Sequence, residues 1–245
     1  MVALYTFVMT VYNCSPVVKK MHLKKSWWIP KRIFDFTISV VGLVVLSPLI
    51  AAIAVVVLAT SGGPVLFVQL RVGRHGRLFR CYKFRTMVPG AHELGSITTA
   101  TDSRITDVGR VLRHYKLDEL LLLWNVVTGK MSFVGPRPDV PGYLDRLQGD
   151  DRRILELLPG ITGPATLIFK DEAQLLSQAK DPKAFNDKVI YPQKVRINLA
   201  YMEDGSFWRD IGYILATLFP YFTRKTGLNN YLNLNYVIDI GNLVQ

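Results

Sequence analysis

A run of 22 residues without a charge, from Ile38 to Ala59, is the feature that most constrains this chain of 245 residues. As one continuous helix it would reach roughly 33 Å, which is long enough to cross the hydrocarbon core of a bilayer. Ser47 and Pro48 lie near its middle, however, and a proline removes a backbone donor and clashes with the preceding turn. Each half would be only about 15–18 Å long, which is too short to span alone.

The charges around the apolar run predict on which side of a membrane its two ends lie. Basic residues precede it at Lys19, Lys20, Lys24, Lys25, Lys31 and Arg32 and follow it at Arg71, Arg74, Arg77, Arg80, Lys83 and Arg85. Basic flanks favour the cytoplasmic side, so both ends satisfy this rule only if the chain enters and leaves by one face. We therefore predict a re-entrant hairpin that breaks at Ser47-Pro48. A spanning helix with a proline kink and the buried core helix of a soluble protein are the alternatives.

The net charge of +11 is concentrated near the apolar run. Residues 1–90 contain 12 Lys/Arg and one acidic residue, whereas residues 91–245 contain 18 of each kind. Anionic headgroups attract basic segments beside a membrane helix by about 1 kcal/mol per residue. We therefore expect anionic membrane lipids as partners and no nucleic acid, although nucleic acid is the rival partner for a basic patch. The two cysteines, Cys14 and Cys81, have no spacing that indicates a disulfide framework or a zinc site.

The rest of the sequence predicts an α/β fold, mainly helical with short strands. Strands are expected over 65–72 and 78–84 as a hairpin, a loop over 88–103, and helices over 107–115, 117–127 and 145–158. A last helix over 207–222 carries apolar and aromatic residues at helical spacing, so it is either an interfacial helix with aromatic anchors or an ordinary core-facing helix. We divide the chain into a basic extension (1–30), a membrane hairpin (31–61), a cytoplasmic catalytic domain (62–222) and a tail (223–245).

Asp118 and Glu119 are the pair that we single out for chemistry. Neighbouring residues on a helix point about 100° apart, so the two carboxylates suit separate roles, such as nucleophile and metal ligand, better than a shared proton. Their place at a predicted helix start favours an ionised carboxylate and a bound phosphate. The same position has a plain alternative explanation, because acidic residues are common in first turns.

Cationic side chains occur in the turns and helix ends around this pair. Arginine binds phosphate oxygens through two parallel hydrogen bonds, and a proline on each side of Arg137 holds its backbone in place. Each of these residues alone is more often a surface residue than a ligand. The candidate phosphate-binding residues are Lys83, Arg85, Arg104, Arg113 and Arg137.

A series of motifs in a fixed order resembles the bacterial sugar transferase family, in particular the small monotopic phosphoglycosyl transferases that act on polyprenyl phosphate. The resemblance covers about residues 31–222. Its motifs are Lys31-Arg-Ile-Phe-Asp35, Ser47-Pro48, Gly63-Pro-Val65, Gln69-Leu-Arg71-Val-Gly73, Lys83-Phe-Arg-Thr-Met87, Asp102-Ser-Arg-Ile-Thr106, Leu117-Asp-Glu-Leu120, Trp124-Asn125, Met131-Ser-Phe-Val-Gly-Pro-Arg-Pro138 and Pro159-Gly-Ile-Thr-Gly163.

The resemblance implies an enzyme at the cytoplasmic face of a bacterial inner membrane. It would move a sugar 1-phosphate from a UDP-sugar to undecaprenyl or another polyprenyl phosphate, as the first membrane step of glycan assembly. By the same resemblance, Asp118 is the covalent nucleophile, Glu119 takes part in Mg²⁺ binding and acid/base work, and Arg113 and Arg137 surround the phosphate. Ser47-Pro48 would be the membrane break. Mg²⁺, bound by Asp118 and Glu119, is the implied cofactor, and a homo-oligomer is compatible with the sequence.

The chain departs from the family pattern after Gly163. Many members continue with Trp-Ala-Gln-Val-Asn-Gly-Arg, whereas this chain has Pro164-Ala-Thr-Leu-Ile-Phe-Lys170 and a longer polar segment up to Arg196. The identity of the sugar is therefore open. Two rival functions also remain at this point: a non-catalytic membrane-bound basic module that binds anionic lipid or nucleic acid, and a transferase that works without a covalent intermediate.

Overall fold

The computed structural model describes residues 27–91 and 102–220. These residues form the expected α/β arrangement, mainly helical, with two small two-stranded sheets. Most of the predicted basic extension (1–30), most of the predicted loop (88–103) and the predicted tail (223–245) lie outside the described residues. The predicted domain boundaries stay predictions.

The apolar run forms part of one long helix, α1 (Trp28–Ser61), with Pro48 inside it. Pro48 has no amide proton to donate to the Val44 carbonyl, one turn earlier. The Ser47 hydroxyl donates to that same carbonyl at 2.8 Å, so it replaces the lost hydrogen bond. Helix α1 continues through Pro48, where the sequence predicts a break, and it ends at Ser61. The next residue, Gly62, has a left-handed φ of 66°. Within the described residues, α1 is the one helix long and apolar enough to cross a membrane.

Three polar residues on one stripe of α1, Lys31, Asp35 and Ser39, are buried against the rest of the chain. The Lys31 ammonium donates to Asp210 at 2.6 Å and to the Val134 carbonyl at 3.0 Å. Asp210 also accepts a hydrogen bond from the Tyr201 hydroxyl at 2.6 Å. A buried charge of this kind is tolerated only when it is paired, so this network fixes the start of α1 on the domain.

The second half of α1 packs against the same domain through apolar contacts. Ile53 and Val57 form a buried cluster with Phe84 and Leu112, and Leu117 and Leu121 pack on this cluster. Large apolar side chains are exposed along the whole of α1, from Ile29 through Val44 and Leu49 to Leu58. Both ends of the apolar run therefore contact the domain, while an apolar face that includes its middle is exposed.

The predicted hairpin is confirmed. Strands β1 (Leu66–Val72) and β2 (Leu78–Phe84) are antiparallel, with Gln69 opposite Cys81 and Phe67 opposite Lys83. These four residues share one face of the hairpin, because opposite residues in an antiparallel pair point to the same side. On this face Cys81 is buried and Lys83 is partly buried, so the hairpin presents Lys83 to the interior side of the domain.

A second sheet, which the sequence did not predict, pairs β3 (Ser132–Val134) with β4 (Gly160–Thr162) in parallel. Each strand has three residues, which is too short for the alternation that marks a strand in a sequence. The backbone just after β3 lies very close to the backbone just before β4: a Cβ on Gly135 would lie 2.2 Å from the Leu158 carbonyl oxygen. The glycine is required there because any side chain would clash with this backbone.

Two predicted helices are wrong in detail. The segment 117–127 is a 3₁₀ turn (Leu117–Glu119) followed by α3 (Leu122–Val127). The segment 145–158 consists of 3₁₀ turns at Leu144–Arg146 and Gly149–Glu156. Gly149 has a φ of 56°, a left-handed conformation that an α-helix cannot contain.

The helices that follow the second sheet form one wall of the domain, whereas the helix over 107–114 lies beside α1 and the turn at Leu117–Glu119. The predicted helix over 107–115 is confirmed as α2 (Asp107–His114), whose first turn is capped by the Thr106 hydroxyl. After β4 the chain forms α4 (Pro164–Ile168), α5 (Glu172–Gln178), α6 (Pro182–Phe185), a π turn (Asn186–Ile190), α7 (Tyr191–Asp204) and α8 (Phe207–Leu218). The sequence predicted none of α4 to α7 as separate helices.

The last helix, α8, has one buried and one exposed face. Asp210, Tyr213 and Ala216 are buried, whereas Trp208 and Leu218 are exposed. The prediction of a core-facing helix is thus confirmed for one face. The exposed apolar side chains on the other face are compatible with the interfacial role, which stays a prediction.

Candidate active site

The Asp118-Glu119 pair lies on a short turn that is held between the first sheet and the loop after β3. The turn begins at Lys116, which has a left-handed φ of 55° that is uncommon for a residue other than glycine. Because the turn has only three residues, the helix-dipole argument for an ionised Asp118 does not apply. Asp118 is buried and Glu119 is partly buried.

The buried side chain of Asn125 positions strand β2 beside this turn. Its amide nitrogen donates to the Arg80 carbonyl at 2.7 Å, and its carbonyl oxygen accepts from the Tyr82 backbone N–H at 3.2 Å. Asn125 thus makes the two hydrogen bonds that a further strand would make at this edge of β2. This arrangement fixes the end of β2, where Lys83 lies.

The loop that carries Arg137 is anchored by the second sheet. The Gly135 N–H donates to the Thr162 carbonyl at 3.0 Å, and the Gly160 N–H donates to the Pro136 carbonyl at 2.8 Å. Pro136 and Pro138 restrict the backbone on each side of Arg137. The sequence prediction of a rigid turn at this arginine agrees with these contacts.

Glu119 is held by two cations. The Lys83 ammonium donates to Glu119 Oε1 at 2.6 Å, and the Arg137 guanidinium donates to both carboxylate oxygens, with a close contact at Oε1 and 3.4 Å at Oε2. Burial works to raise the pKa of Glu119, but the charges and hydrogen bonds of Arg137 and Lys83 prevail and hold it well below its ordinary value. Glu119 in turn raises the pKa of Arg137.

Asp118 has a different environment. None of the described residues donates a hydrogen bond to its carboxylate. Burial, with a further contribution from the neighbouring charge of Glu119, raises the pKa of Asp118, while Lys83 and Arg113 act in the opposite direction. The two adjacent carboxylates therefore differ in their partners and in the direction of their pKa shifts. Glu119 is an anion held by two cations, whereas Asp118 is buried from water and has no hydrogen-bond partner among the described residues.

The other predicted phosphate-binding residues fall into two sets. Arg113 lies at the site, where its Nε donates to the Thr86 hydroxyl at 2.8 Å, and Arg85 lies nearby with a hydrogen bond of 2.9 Å to the Gly63 carbonyl. No described residue accepts from the two terminal nitrogens of Arg113. Arg104, by contrast, pairs with Asp102 and donates to the Ala91 carbonyl. It does not line the cleft described next.

A cleft of about 790 Å³ joins the carboxylate pair to most of these cations. Its volume is within the range of small-molecule sites. At one end it is lined by Asp118, Glu119, Lys83, Arg85, Arg113 and Arg137. Toward the helical wall it is lined by polar residues that the sequence analysis missed, namely Asp139, Lys170, Glu172, Tyr191, Lys194 and Asn198.

Of the missed residues, only Asp139 has a local signal in the sequence, since it lies two residues after Arg137. Lys170 lies between α4 and α5, and the other four residues come from α5 and α7, so only the fold brings them to the cleft. Burial raises the pKa of Asp139 to about 6, although the charges of Lys194 and Arg71 oppose this effect.

The carboxylate pair fits a magnesium ion that shares its ligands with a substrate. In the described part of the chain no group of three or more His, Cys, Asp and Glu side chains could form a full protein cage. Mg²⁺ is usually held by one or two carboxylates together with waters and substrate phosphates. The unpartnered carboxylate of Asp118, and Glu119 Oε2 with its long contact to Arg137, are oxygen ligands of the required kind.

The contrast between the two carboxylates predicts opposite effects on stability. The pKa of Glu119 is lowered by folding, so its ionised form stabilises the fold at neutral pH, and this contribution declines as the pH falls below the ordinary value of 4.5. We expect Glu119→Gln to lower the free energy of unfolding at pH 7 by about 1–3 kcal/mol. Because folding raises the pKa of Asp118, Asp118→Asn should make the protein more stable at pH 7.

Denaturant unfolding of both variants, at pH 7 and at about pH 4 in the same detergent, measures these effects, because the Glu119 contribution declines only below pH 4.5. A destabilised Asp118→Asn variant would show that Asp118 has a structural partner and would contradict the separation of the two carboxylates.

Known proteins resemble this chain over most of its length. The sequence model of the family described as "Bacterial sugar transferase" matches residues 26–224. An undecaprenyl-phosphate galactose phosphotransferase of Salmonella typhimurium is 34% identical over 210 residues, which cover 79% of this chain and 40% of the relative. A UDP-glucose:undecaprenyl-phosphate glucose-1-phosphate transferase of Klebsiella pneumoniae is 34% identical over 80% of this chain and 41% of the relative.

A relative of more similar length is the exopolysaccharide production protein ExoY of Sinorhizobium fredii, which is 31% identical over 78% of this chain and 84% of its own length. The chain thus spans about two fifths of the length of the first two relatives and most of the third. The family match includes α1, both sheets, the carboxylate pair and the Arg137 loop. The chain belongs to the bacterial sugar transferase family.

Proposed function

We propose that this chain transfers a sugar 1-phosphate from a UDP-sugar to undecaprenyl phosphate through a covalent intermediate on Asp118. The observation that carries the proposal is the unpartnered carboxylate of Asp118, which lies in a cleft beside a neighbouring carboxylate held by Lys83 and Arg137. The names of the relatives support the donor and acceptor, since two of them specify UDP-glucose or galactose together with undecaprenyl phosphate.

In the first step an oxygen of Asp118 attacks the phosphorus that carries the sugar. The bond between this phosphorus and the bridging oxygen breaks, and UMP leaves with the electron pair. In the second step an oxygen of the polyprenyl phosphate attacks the same phosphorus. The bond to Asp118 breaks, the carboxylate is restored, and a polyprenyl diphosphate sugar is released.

The residues of the cleft suit this chemistry. A carboxylate that is shielded from water and lacks hydrogen-bond donors is a better nucleophile than a solvated one. The terminal nitrogens of Arg113, which have no acceptor among the described residues, are available to phosphate oxygens. Arg137 and Lys83 place positive charge where negative charge develops during phosphoryl transfer.

Mg²⁺, if bound by Asp118 and Glu119, would neutralise charge on the diphosphate. In this proposal the protein's part of this work falls to Glu119, which Lys83 and Arg137 keep ionised and in place. Glu119→Gln is therefore expected to impair the reaction even when Asp118 is intact.

We further propose that α1 is re-entrant and that the cleft faces the cytoplasm. The support is that Lys31 and Asp35 near one end of the apolar run, and Ile53 and Val57 near the other, pack against the same domain. In a spanning helix these two ends would lie on opposite sides of the bilayer. The basic flanks add support, and the exposed apolar middle around Ser47-Pro48 would lie in the lipid.

The chemical proposal predicts that UMP release does not need the lipid. Enzyme mixed with Mg²⁺ and each of a set of UDP-sugars, without polyprenyl phosphate, should release UMP in a burst of up to one equivalent for the correct donor. Asp118→Asn should abolish the burst, because an amide is a poor nucleophile. A matched control is Asp107→Asn, which changes an exposed carboxylate and should leave the burst intact.

UMP release that strictly requires the lipid would favour direct attack by the polyprenyl phosphate. An Asp118→Ala variant with full transferase activity, or a parent protein that turns over no UDP-sugar, would favour the non-catalytic membrane module.

If α1 is re-entrant, both of its ends lie on the cytoplasmic side, where reagents added outside the cell cannot reach them. Ile29→Cys and Ser61→Cys, made separately in a variant without Cys14 and Cys81, should both resist a membrane-impermeant maleimide in spheroplasts. Both should react once the membrane is opened. Labelling of one site alone in intact spheroplasts would show that α1 spans the bilayer.

A further inference from the structure

The cleft contains a second group of polar residues that the proposed chemistry does not use. Asp139 follows the Arg137 loop, and Tyr191, Lys194 and Asn198 lie on one side of α7. We call these four residues the distal pocket. Asp139 and Lys194 interact electrostatically, and the Asp139 backbone carbonyl accepts from the Val72 N–H at 2.9 Å, so the pocket is tied to the first sheet as well as to α7.

Two polar atoms of the distal pocket are buried without a hydrogen-bond partner among the described residues. They are the Tyr191 hydroxyl and the side-chain oxygen of Asn198. Leaving such an atom unsatisfied is energetically costly, and most buried polar atoms in native proteins have a partner. Both residues line the cleft, so a molecule with hydroxyl groups that binds there could supply the missing partners.

Charges beside the distal pocket interact with Arg137, at the end of the cleft that holds the carboxylate pair. Positive and negative side chains around the pocket occur in equal number. Lys194 donates to Glu172 at 2.6 Å, and the charge of Glu172 is close enough to contribute to raising the pKa of Arg137. Arg71 donates to Gln69 and to the Pro138 carbonyl beside Asp139. Two cations and two carboxylates thus surround the pocket, which suits an uncharged ligand with several hydroxyls better than an anion.

We propose that the distal pocket binds the sugar ring of the donor and that Tyr191 and Asn198 select it through its hydroxyls. This inference rests on the proposed function. It identifies the ligand as an uncharged pyranose, because a phenol, an amide oxygen, a carboxyl group and an ammonium together offer the mixed donors and acceptors that ring hydroxyls require.

The position of the pocket in the chain favours the sugar over the nucleoside. Tyr191 and Lys194 lie in the segment between Gly163 and Arg196, where this chain departs from the pattern of many family members. Among the relatives, UDP-glucose and UDP-N-acetylgalactosamine transferases share the nucleotide and differ in the sugar. Tyr191 also packs on Tyr143 with ring centroids 5.1 Å apart and a tilt of 58°, so the pair does not form a flat platform for a base.

Tyr191→Phe tests this inference with little risk to the fold, since it removes a hydroxyl that makes no hydrogen bond to any described residue. For the best donor in the UDP-sugar screen, kcat/KM should fall at least tenfold, whereas the Kd for UDP, measured by calorimetry, should change less than twofold. Tyr143→Phe is the matched control, because the Tyr143 hydroxyl already donates to Asp187 at 2.9 Å. It should leave both quantities within twofold of the parent.

A donor analogue that lacks one ring hydroxyl sharpens the test. When the analogue lacks the hydroxyl that contacts Tyr191, the parent should have a lower kcat/KM with the analogue than with the full donor. Tyr191→Phe has already lost this contact, so its kcat/KM should differ little between the two donors. An equal loss of affinity for UDP would assign the pocket to the nucleoside, and unchanged kcat/KM would leave Tyr191 without a role in recognition; either result overturns the inference. A parent that turns over no UDP-sugar would instead overturn the proposed function itself.

Discussion

The paired cations on Glu119 are the interaction on which the arrangement of the cleft depends. Lys83 comes from the end of β2, Glu119 from the 3₁₀ turn, and Arg137 from the loop after β3, so one carboxylate joins three segments that are distant in sequence. If Glu119 were neutral, Lys83 and Arg137 would repel each other and the turn would lose its anchor. No described residue donates a hydrogen bond to Asp118, its neighbour. The two adjacent carboxylates therefore differ in environment: two cations hold Glu119, whereas Asp118 is buried without a hydrogen-bond partner among the described residues.

Helix α1 and the cleft are connected through strand β3. Lys31 donates to the carbonyl of Val134, and Asp35 accepts from the Phe133 backbone N–H at 3.3 Å, so α1 is bound to β3. Strand β3 leads directly into Gly135 and Arg137. At the other end of the apolar run, Val57 packs with Phe84, next to Lys83. The two cations that hold Glu119 are thus each placed by a strand that contacts α1, and this connection suits an enzyme whose acceptor lies in the bilayer.

The sequence predicted those features that depend on neighbours in the chain. The hairpin of β1 and β2 has alternating residues and a glycine-rich turn, and the ordered motifs indicated the family before any geometry was known. The sequence could not predict the pairing of β3 with β4, because its main requirement, the close approach of Gly135 to the Leu158 carbonyl, exists only in three dimensions. For the same reason it grouped Arg104 with the cleft cations and missed Tyr191 and Asn198. At Pro48 the Ser47 hydroxyl makes the hydrogen bond that the proline cannot make, a contact that the spacing of apolar residues does not reveal.

The central claim is that Asp118, rather than Glu119, carries the phosphosugar. The most direct measurement is tandem mass spectrometry of protein quenched in acid after brief exposure to Mg²⁺ and the correct UDP-sugar, with fragmentation between the two adjacent residues. The account predicts one sugar-phosphate adduct per chain on Asp118, which should disappear when polyprenyl phosphate is added. An adduct on Glu119, or rapid turnover with no adduct on either residue, would contradict the account.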